Sequence, residues 1–186
     1  MSKPSLITLS RESFGMAEFF DEFRNELLGP NDRACALVGA AYVERNLLCL
    51  VQAKMRAFTK KESNALFFDE RAILKTFAAR AEIAYALDAI SKEEKTTIDS
   101  IRRIRNVFAH AIRPITFEHE LIAAVCKTLP YSKTATLEVS LSPHRKIYIH
   151  CIQHVISRFS WLFVKAPRRK EIIKLVTDPY AQEAEA

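Results

Sequence analysis

The segment 99–110 gathers side chains that could do chemistry onto one face of a helix. At 100° per residue, its isoleucines and phenylalanine share an apolar arc and four polar side chains share the opposite arc. These four groups can donate and accept hydrogen bonds. The polar arc consists of Asp99, Arg103, Asn106 and His110.

Arg105 departs from this pattern because it falls within the apolar arc. A guanidinium cannot lose its charge, so a buried one needs a carboxylate or several carbonyl oxygens as partners. Glu44 and Asp88 interrupt the apolar patterns of their own helices in the same way. We therefore predict a buried ion pair between Arg105 and one of these carboxylates, with Glu44 favoured. Such a pair either fixes the register of the helices or belongs to a functional site.

A second group of polar side chains follows one face of a late helix. His150 and His154 are four residues apart and could bind a metal ion, but the sequence offers neither a third ligand nor the glutamate of the zinc-protease pattern. We therefore expect no metal site and no other cofactor. The face continues through Arg158, Trp161 and Lys165, which we interpret as a contact face for a partner subunit or a nucleic-acid backbone. Packing of the indole beneath the segment that follows is the alternative.

Hydrophobic periodicity predicts the helices that position these residues. The second helix is apolar nearly all round through its first half, which is typical of a helix surrounded by others. Ser91 and Glu94 form a capping box, and the short connection before it predicts an antiparallel hairpin of the third and fourth helices. Alternation over 135–141 indicates a strand or an extended loop. The predicted helices cover about residues 14–28, 33–58, 70–90, 91–112, 117–129 and 142–165, followed by a short basic helix that begins at Pro167.

Composition favours an all-α protein. Only three of the 186 residues are glycine, so long uninterrupted stretches favour helices over many short strands. We predict one domain over 1–186, a compact helical bundle of six to seven helices with at most a short extended segment near 135–141. The sequence has no recognisable signal peptide, no apolar run long enough to span a bilayer and no closely paired cysteines. We therefore expect a reduced, cytoplasmic protein without a membrane partner.

Positive charge is concentrated in the basic segment 142–176. It holds eight Lys and Arg side chains against Glu171 alone, a net charge of +7, whereas the whole chain carries +6. This asymmetry predicts an acidic partner, with DNA or RNA the obvious one and Arg168, Arg169 and Lys170 the densest part of the contact. An ordinary solvated basic face is the alternative. The sequence lacks phosphate-binding glycine loops, a serine-hydrolase elbow and clustered acidic metal ligands, which argues against the corresponding hydrolases and nucleases.

Three blocks of sequence resemble the mannitol operon repressor (MltR) family. They are DRACALVGAAYVE (32–44), AYALDAISKEE (84–94) and IRRIRNVFAH (101–110), in the family's order and spacing across a core of about residues 30–113. Asp88 departs from the family pattern, in which we expect glycine. The resemblance implies an all-helical bacterial protein associated with transcriptional repression. We find no convincing helix-turn-helix, so direct contact with DNA, action through a protein partner and a homodimer all stay open.

The last of these blocks also looks like the Arg-x4-His motif of the HEPN superfamily, helical proteins that include metal-independent ribonucleases. Carried over, Arg105 would stabilise phosphate charge, Asn106 would orient the reacting group and His110 would act as general acid or base. In a regular helix Arg105 and His110 point about 140° apart, so they would meet only at a kink or between two copies of a dimer.

The sequence therefore favours an MltR-like transcriptional regulator that acts by protein or nucleic-acid binding. One alternative is an HEPN-like endoribonuclease or toxin that uses Arg105 and His110. The other is a helical interaction module that binds no nucleic acid.

Overall fold

The fold is an all-α bundle, as the composition predicts. In a computed structural model of the chain, residues 23–29, 31–130, 140–166, 170 and 172 are described, and none of them lies in a β-strand. Residues 23–28 are helical and precede six complete helices. These are α1 (Asp32–Lys54), α2 (Lys60–Phe67), α3 (Phe77–Ala86), α4 (Lys92–His110), α5 (Glu120–Thr128) and α6 (Pro143–Val164).

Short polar side chains fix where the first four helices begin. Asn31 and Thr76 accept backbone N–H bonds in the first turns of α1 and α3. Ser91 and Glu94 form the predicted capping box of α4. The same arrangement of Thr59 and Glu62 starts α2. Each cap satisfies N–H groups that have no partner inside the helix, which is why these helices start where they do.

Helix α1 lies at the centre, as its nearly uniform apolar character predicts. Helices α3, α4 and α6 all pack against it. Its buried residues occupy most of its circumference: Cys35, Ala36, Gly39, Ala40, Val43, Leu47, Leu48, Leu50, Val51 and Ala53. By length and composition alone α1 would also pass for a membrane span, although Glu44 and Arg45 interrupt its apolar sequence. Here it is the core helix of the bundle, and its neighbours cover its apolar side chains.

Contacts at the ends of the helices give their directions. Arg145, at the start of α6, donates to Asp32 at the start of α1, and Ala53 and Ala166 share an apolar cluster at the other end. Helices α1 and α6 therefore run parallel. Arg33 donates to the carbonyl of residue 111, just beyond α4, so α4 runs antiparallel to both.

Helices α3 and α4 form the predicted antiparallel hairpin. Lys95 of α4 bonds Glu82 of α3 at 2.9 Å. The turn between them contains Asp88 at φ 52°, the only left-handed non-glycine residue in the described part of the chain. Asp88 N–H donates to the carbonyl of Tyr85, and Ala89 N–H donates to that of Ala84. This is the Schellman arrangement, in which glycine is the usual left-handed residue.

The structure corrects several predicted boundaries. The predicted helix 33–58 ends at Lys54 because Met55 is extended, and the separate helix α2 follows. The predicted helix 70–90 begins only at Phe77, so Ile73 is 78% exposed instead of buried. The predicted extended segment 135–141 and the basic helix from Pro167 lie mostly outside the described residues. Of the extended segment only Ser140 and Leu141 are described, and neither is in a strand.

Candidate functional site

Two buried groups hold α6 against the centre of the bundle. Arg145 donates to the carboxylate of Asp32 at 3.1 Å and to the carbonyl oxygens of Leu27 and Gly29. One turn later, Tyr148 Oη donates to the carbonyl of Ala36 at 2.9 Å. Since these contacts fix the inner face of α6, its opposite face is presented outward in a defined orientation.

The outer face of α6 carries the predicted row of polar and aromatic side chains. Trp161 is 49% exposed and lies between two cations, with Arg158 Cζ 4.9 Å and Lys165 Nζ 3.8 Å from the ring centroid. Arg158 Nε also donates to Glu94 Oε1 at 2.9 Å, which ties this face to the start of α4. We call the face the Trp161 face; it consists of His150, His154, Arg158, Trp161 and Lys165, and the exposed Val164 lies beside it.

The two histidines of the Trp161 face interact with each other. Their ring centroids are 4.5 Å apart and the rings meet edge to face. Burial, followed by the charge of His154, lowers the pKa of His150. Both effects favour the neutral imidazole at His150. Within the described residues no group of three or more His, Cys, Asp or Glu side chains could hold a metal ion.

The polar arc of α4 does not gather into one site. Asp99 accepts from Lys95 at 3.2 Å and from Arg102 at 3.4 Å, while Arg103 and His110 are exposed. Arg105 donates to the side chain of Asn106 at 3.0 Å. Because α4 is continuous from Lys92 to His110, Arg105 and His110 point about 140° apart and are separated by about 7.5 Å along the axis. One chain therefore does not bring these two side chains together.

Glu44 has a different partner from the one predicted. Arg80 of α3 donates to Glu44 at 2.8 Å, whereas Arg105 affects Glu44 only through its more distant charge. The prediction of an Arg105–Glu44 pair is therefore wrong. Asp88, the other carboxylate considered, is exposed in the turn after α3 and not on an apolar helix face.

The buried arginines are the polar residues that the sequence reading missed. Arg80 is 8% exposed and donates to Glu44 and to the carbonyl oxygens of Leu74 and Phe67. It lies three residues after Phe77 and four before Ala84, on the buried stripe of α3. A charge on an apolar stripe is the same signal that singled out Arg105, so the sequence did contain it. Of the basic segment, Lys170 is exposed, and Arg168 and Arg169 lie outside the described residues.

Comparison with known proteins identifies the architecture. No protein-family model and no curated protein matches the chain. Among solved structures, a chain in the X-ray structure of the MtlR–HPr complex from Escherichia coli matches 85% of this chain and 97% of its own length, with a TM-score of 0.53 and 16% identity. The two share a fold. At this identity the likeness concerns the fold alone, and it agrees with the MltR-like architecture that the three sequence blocks imply.

The MtlR-like fold explains how the Trp161 face is displayed. The helix that carries the face is anchored along its inner side by Arg145 and Tyr148, and its end packs against the end of α1. An anchored helix loses little conformational freedom when its outer face binds a partner. The Trp161 face is therefore presented in one defined orientation.

Proposed function

We propose that this chain is an MtlR-like transcriptional regulator, a repressor that acts by binding a partner protein through the Trp161 face. The observation that carries the proposal is a half-exposed tryptophan held between two cations on a rigid helix. The fold shared with a chain of the MtlR–HPr complex supports a regulatory role.

The composition of the Trp161 face favours a protein partner. Tryptophan and arginine are the residues most enriched among those that dominate binding energy at protein interfaces. Trp161, Val164 and Arg158 combine apolar area with positive charge on adjacent turns of α6. A partner with an apolar pocket bordered by carboxylates would complement this surface.

Two observations favour this role over the ribonuclease alternative. Ribonuclease chemistry at the Arg-x4-His motif requires the arginine and histidine to reach one phosphate. The unbroken α4 points Arg105 and His110 in different directions, and the Arg105 guanidinium is occupied by Asn106. A binding role makes no such demand on α4.

The test is a calorimetric titration of the chain with HPr from the same organism. We expect the wild-type chain to bind HPr and Trp161→Ala to weaken binding at least about thirtyfold, since truncating a dominant interface residue costs about 2 kcal/mol or more. Leu121→Ala is the control, because Leu121 is 72% exposed on α5 and is not part of the Trp161 face. Its affinity should equal that of the wild type.

Two results would contradict the proposal. The first is an absence of HPr binding, or an equal loss in both variants. The second is cleavage of labelled single-stranded RNA in EDTA by the wild type but not by His110→Ala, since general acid–base groups contribute about 10²–10⁴-fold. That outcome would establish the HEPN-like enzyme instead.

A further inference from the structure

The parallel arrangement of α1 and α6 brings two distant parts of the sequence to one end of the bundle. Ala53, Ala166 and Ile172 form a small apolar cluster there, with Cys49 and Phe163 packed against it. Lys54 directly follows Ala53, Lys165 directly precedes Ala166, and Lys170 is two residues before Ile172. Lys54 therefore lies near the basic segment in the folded protein, although it is more than 100 residues earlier in the chain.

The start of α2 extends this positive surface. Lys60 and Lys61 open α2 after a linker of only five residues, 55–59. A linker of that length places them within about 20 Å of the end of α1. We call the surface the lysine end; its five exposed members are Lys54, Lys60, Lys61, Lys165 and Lys170. Within the described residues, none of the five forms an ion pair with a carboxylate.

Among the described residues, the glutamates of α2 and α4 do not form ion pairs with the lysine end. Glu62 is held by Arg56 at 2.8 Å, and Glu94 is held by Arg158 at 2.9 Å. Glu93 accepts from the Ser91 hydroxyl at the start of α4 and has Lys92 beside it. The positive charge of the lysines is therefore not offset by these carboxylates. Their long flexible side chains present this charge to solvent.

We propose that the lysine end binds the phosphate backbone of duplex nucleic acid, without reading its sequence. Lysines spread over two helix ends and a helix start can contact successive phosphates of a regular polyanion, and each contact releases counterions. Phosphate contacts carry no sequence information, so these lysines would supply affinity and not sequence specificity. This activity goes beyond partner-protein binding. The lysine end lies beside the Trp161 face at the same end of α6 and shares Lys165 with it.

The test measures binding of a fluorescein-labelled 24-base-pair DNA duplex by anisotropy between 25 and 200 mM salt. For five lysine contacts we expect the logarithm of the binding constant to fall with a slope of about −4.5 against the logarithm of salt concentration. The variant Lys54→Gln, Lys61→Gln, Lys170→Gln should flatten this slope by about 3. Lys165 is left unchanged because its ammonium lies on Trp161.

A matched control removes the same charge from outside the lysine end. Arg24, Arg113 and Lys127 are exposed and belong to other elements, and Arg24→Gln, Arg113→Gln, Lys127→Gln should leave the slope near that of the wild type. Thermal unfolding of both variants verifies the fold. Trp161→Ala should still bind DNA, and the lysine variant should still bind HPr, so this proposal and the proposed function fail separately.

Three outcomes would overturn the inference. They are no binding of the duplex at 25 mM salt, an equal loss of slope in both triple variants, and binding to vesicles with 30% phosphatidylglycerol but not to DNA. The last would show that the lysines recognise a lipid surface instead.

Discussion

At the scale of single residues, the ion pair between Arg80 and Glu44 is one of two buried arginine–carboxylate pairs among the described residues. The Arg80 guanidinium joins α1, the end of α2 and the loop before α3 through one carboxylate and two carbonyl oxygens. Burial raises the pKa of Glu44, although the charges of Arg80 and Arg105 oppose the shift. Burial also lowers the pKa of Arg80, against the effect of Glu44. Burial thus favours the neutral form of both side chains, so each charge depends on the opposite charge of its partner.

Removing Arg80 should therefore cost far more stability than removing Arg105. Arg80→Met leaves the Glu44 carboxylate without its partner, and we expect a loss of about 3–5 kcal/mol in the free energy of unfolding. Arg105→Met removes a hydrogen bond to Asn106 and a more distant charge from Glu44, and should cost about 1 kcal/mol or less. Urea unfolding measures both variants. Equal losses would show that Glu44 relies on both arginines.

The sequence predicted the kind of interaction but not its members. Glu44 stands out because it lies in a helix that is otherwise apolar, and it is indeed paired. The sequence points to Arg105 because the wheel of α4 gives it an apolar position, and the same signal at Arg80 went unused. In the structure Arg105 lies at the border of that arc and is half-buried. The relative rotation of three helices decides which of these two arginines contacts Glu44. Hydrophobic periodicity along the sequence does not contain that information.

At the scale of elements, the α3–α4 hairpin depends on a residue with an unfavourable backbone. Asp88 adopts φ 52° so that the residues after α3 can satisfy its last carbonyl groups. A left-handed conformation costs an L-residue roughly 1–2 kcal/mol relative to glycine, with Asp and Asn the least penalised. Glycine, which we expect at this position from the MltR resemblance, is thus also the residue that the left-handed backbone at Asp88 favours.

Asp88→Gly should stabilise the protein by up to about 1 kcal/mol, because glycine relieves the backbone without removing any bond that the Asp88 side chain makes within the described residues. Differential scanning calorimetry would register a higher melting temperature. Ala86→Gly is the comparison, since glycine introduced two positions earlier, at the last residue of α3, should destabilise by up to about 1 kcal/mol. A fall in melting temperature for Asp88→Gly would mean that its carboxylate contributes more than the strain costs.

The helices themselves were predictable wherever apolar periodicity and a cap coincide. Ser91 and Glu94 mark the start of α4 in the sequence and in the structure. Helix α2 was missed because it is short and mostly polar, with Phe67 its one buried residue. Its only strong local signal is the capping box of Thr59 and Glu62. Tertiary contacts, including the bond from Arg80 to the carbonyl of Phe67, then hold it in place.

At the scale of the whole molecule, both proposed surfaces depend on how α6 lies against α1. The parallel packing directs the Trp161 face outward and brings Lys165 and Lys170 beside Lys54. Gly39 sets the closeness of that packing. A Cβ atom at this position would lie 3.2 Å from Tyr148 Cε1, 3.3 Å from Leu27 Cδ2 and 3.4 Å from Ile152 Cγ1. The absence of a side chain at Gly39 therefore lets α6 approach the centre of α1.

Gly39→Val should force α6 away from α1 and destabilise the protein by about 1–3 kcal/mol, the usual cost of overpacking a core. Ala41→Val introduces the same side chain on the exposed side of α1, where only the helix propensity changes, by about 0.5 kcal/mol. Thermal unfolding compares the two variants. Because α6 carries the Trp161 face and part of the lysine end, Gly39→Val should also weaken HPr and DNA binding together, whereas Trp161→Ala affects HPr alone. If Gly39→Val were as stable as Ala41→Val, the close approach of α1 and α6 would not determine the position of either surface.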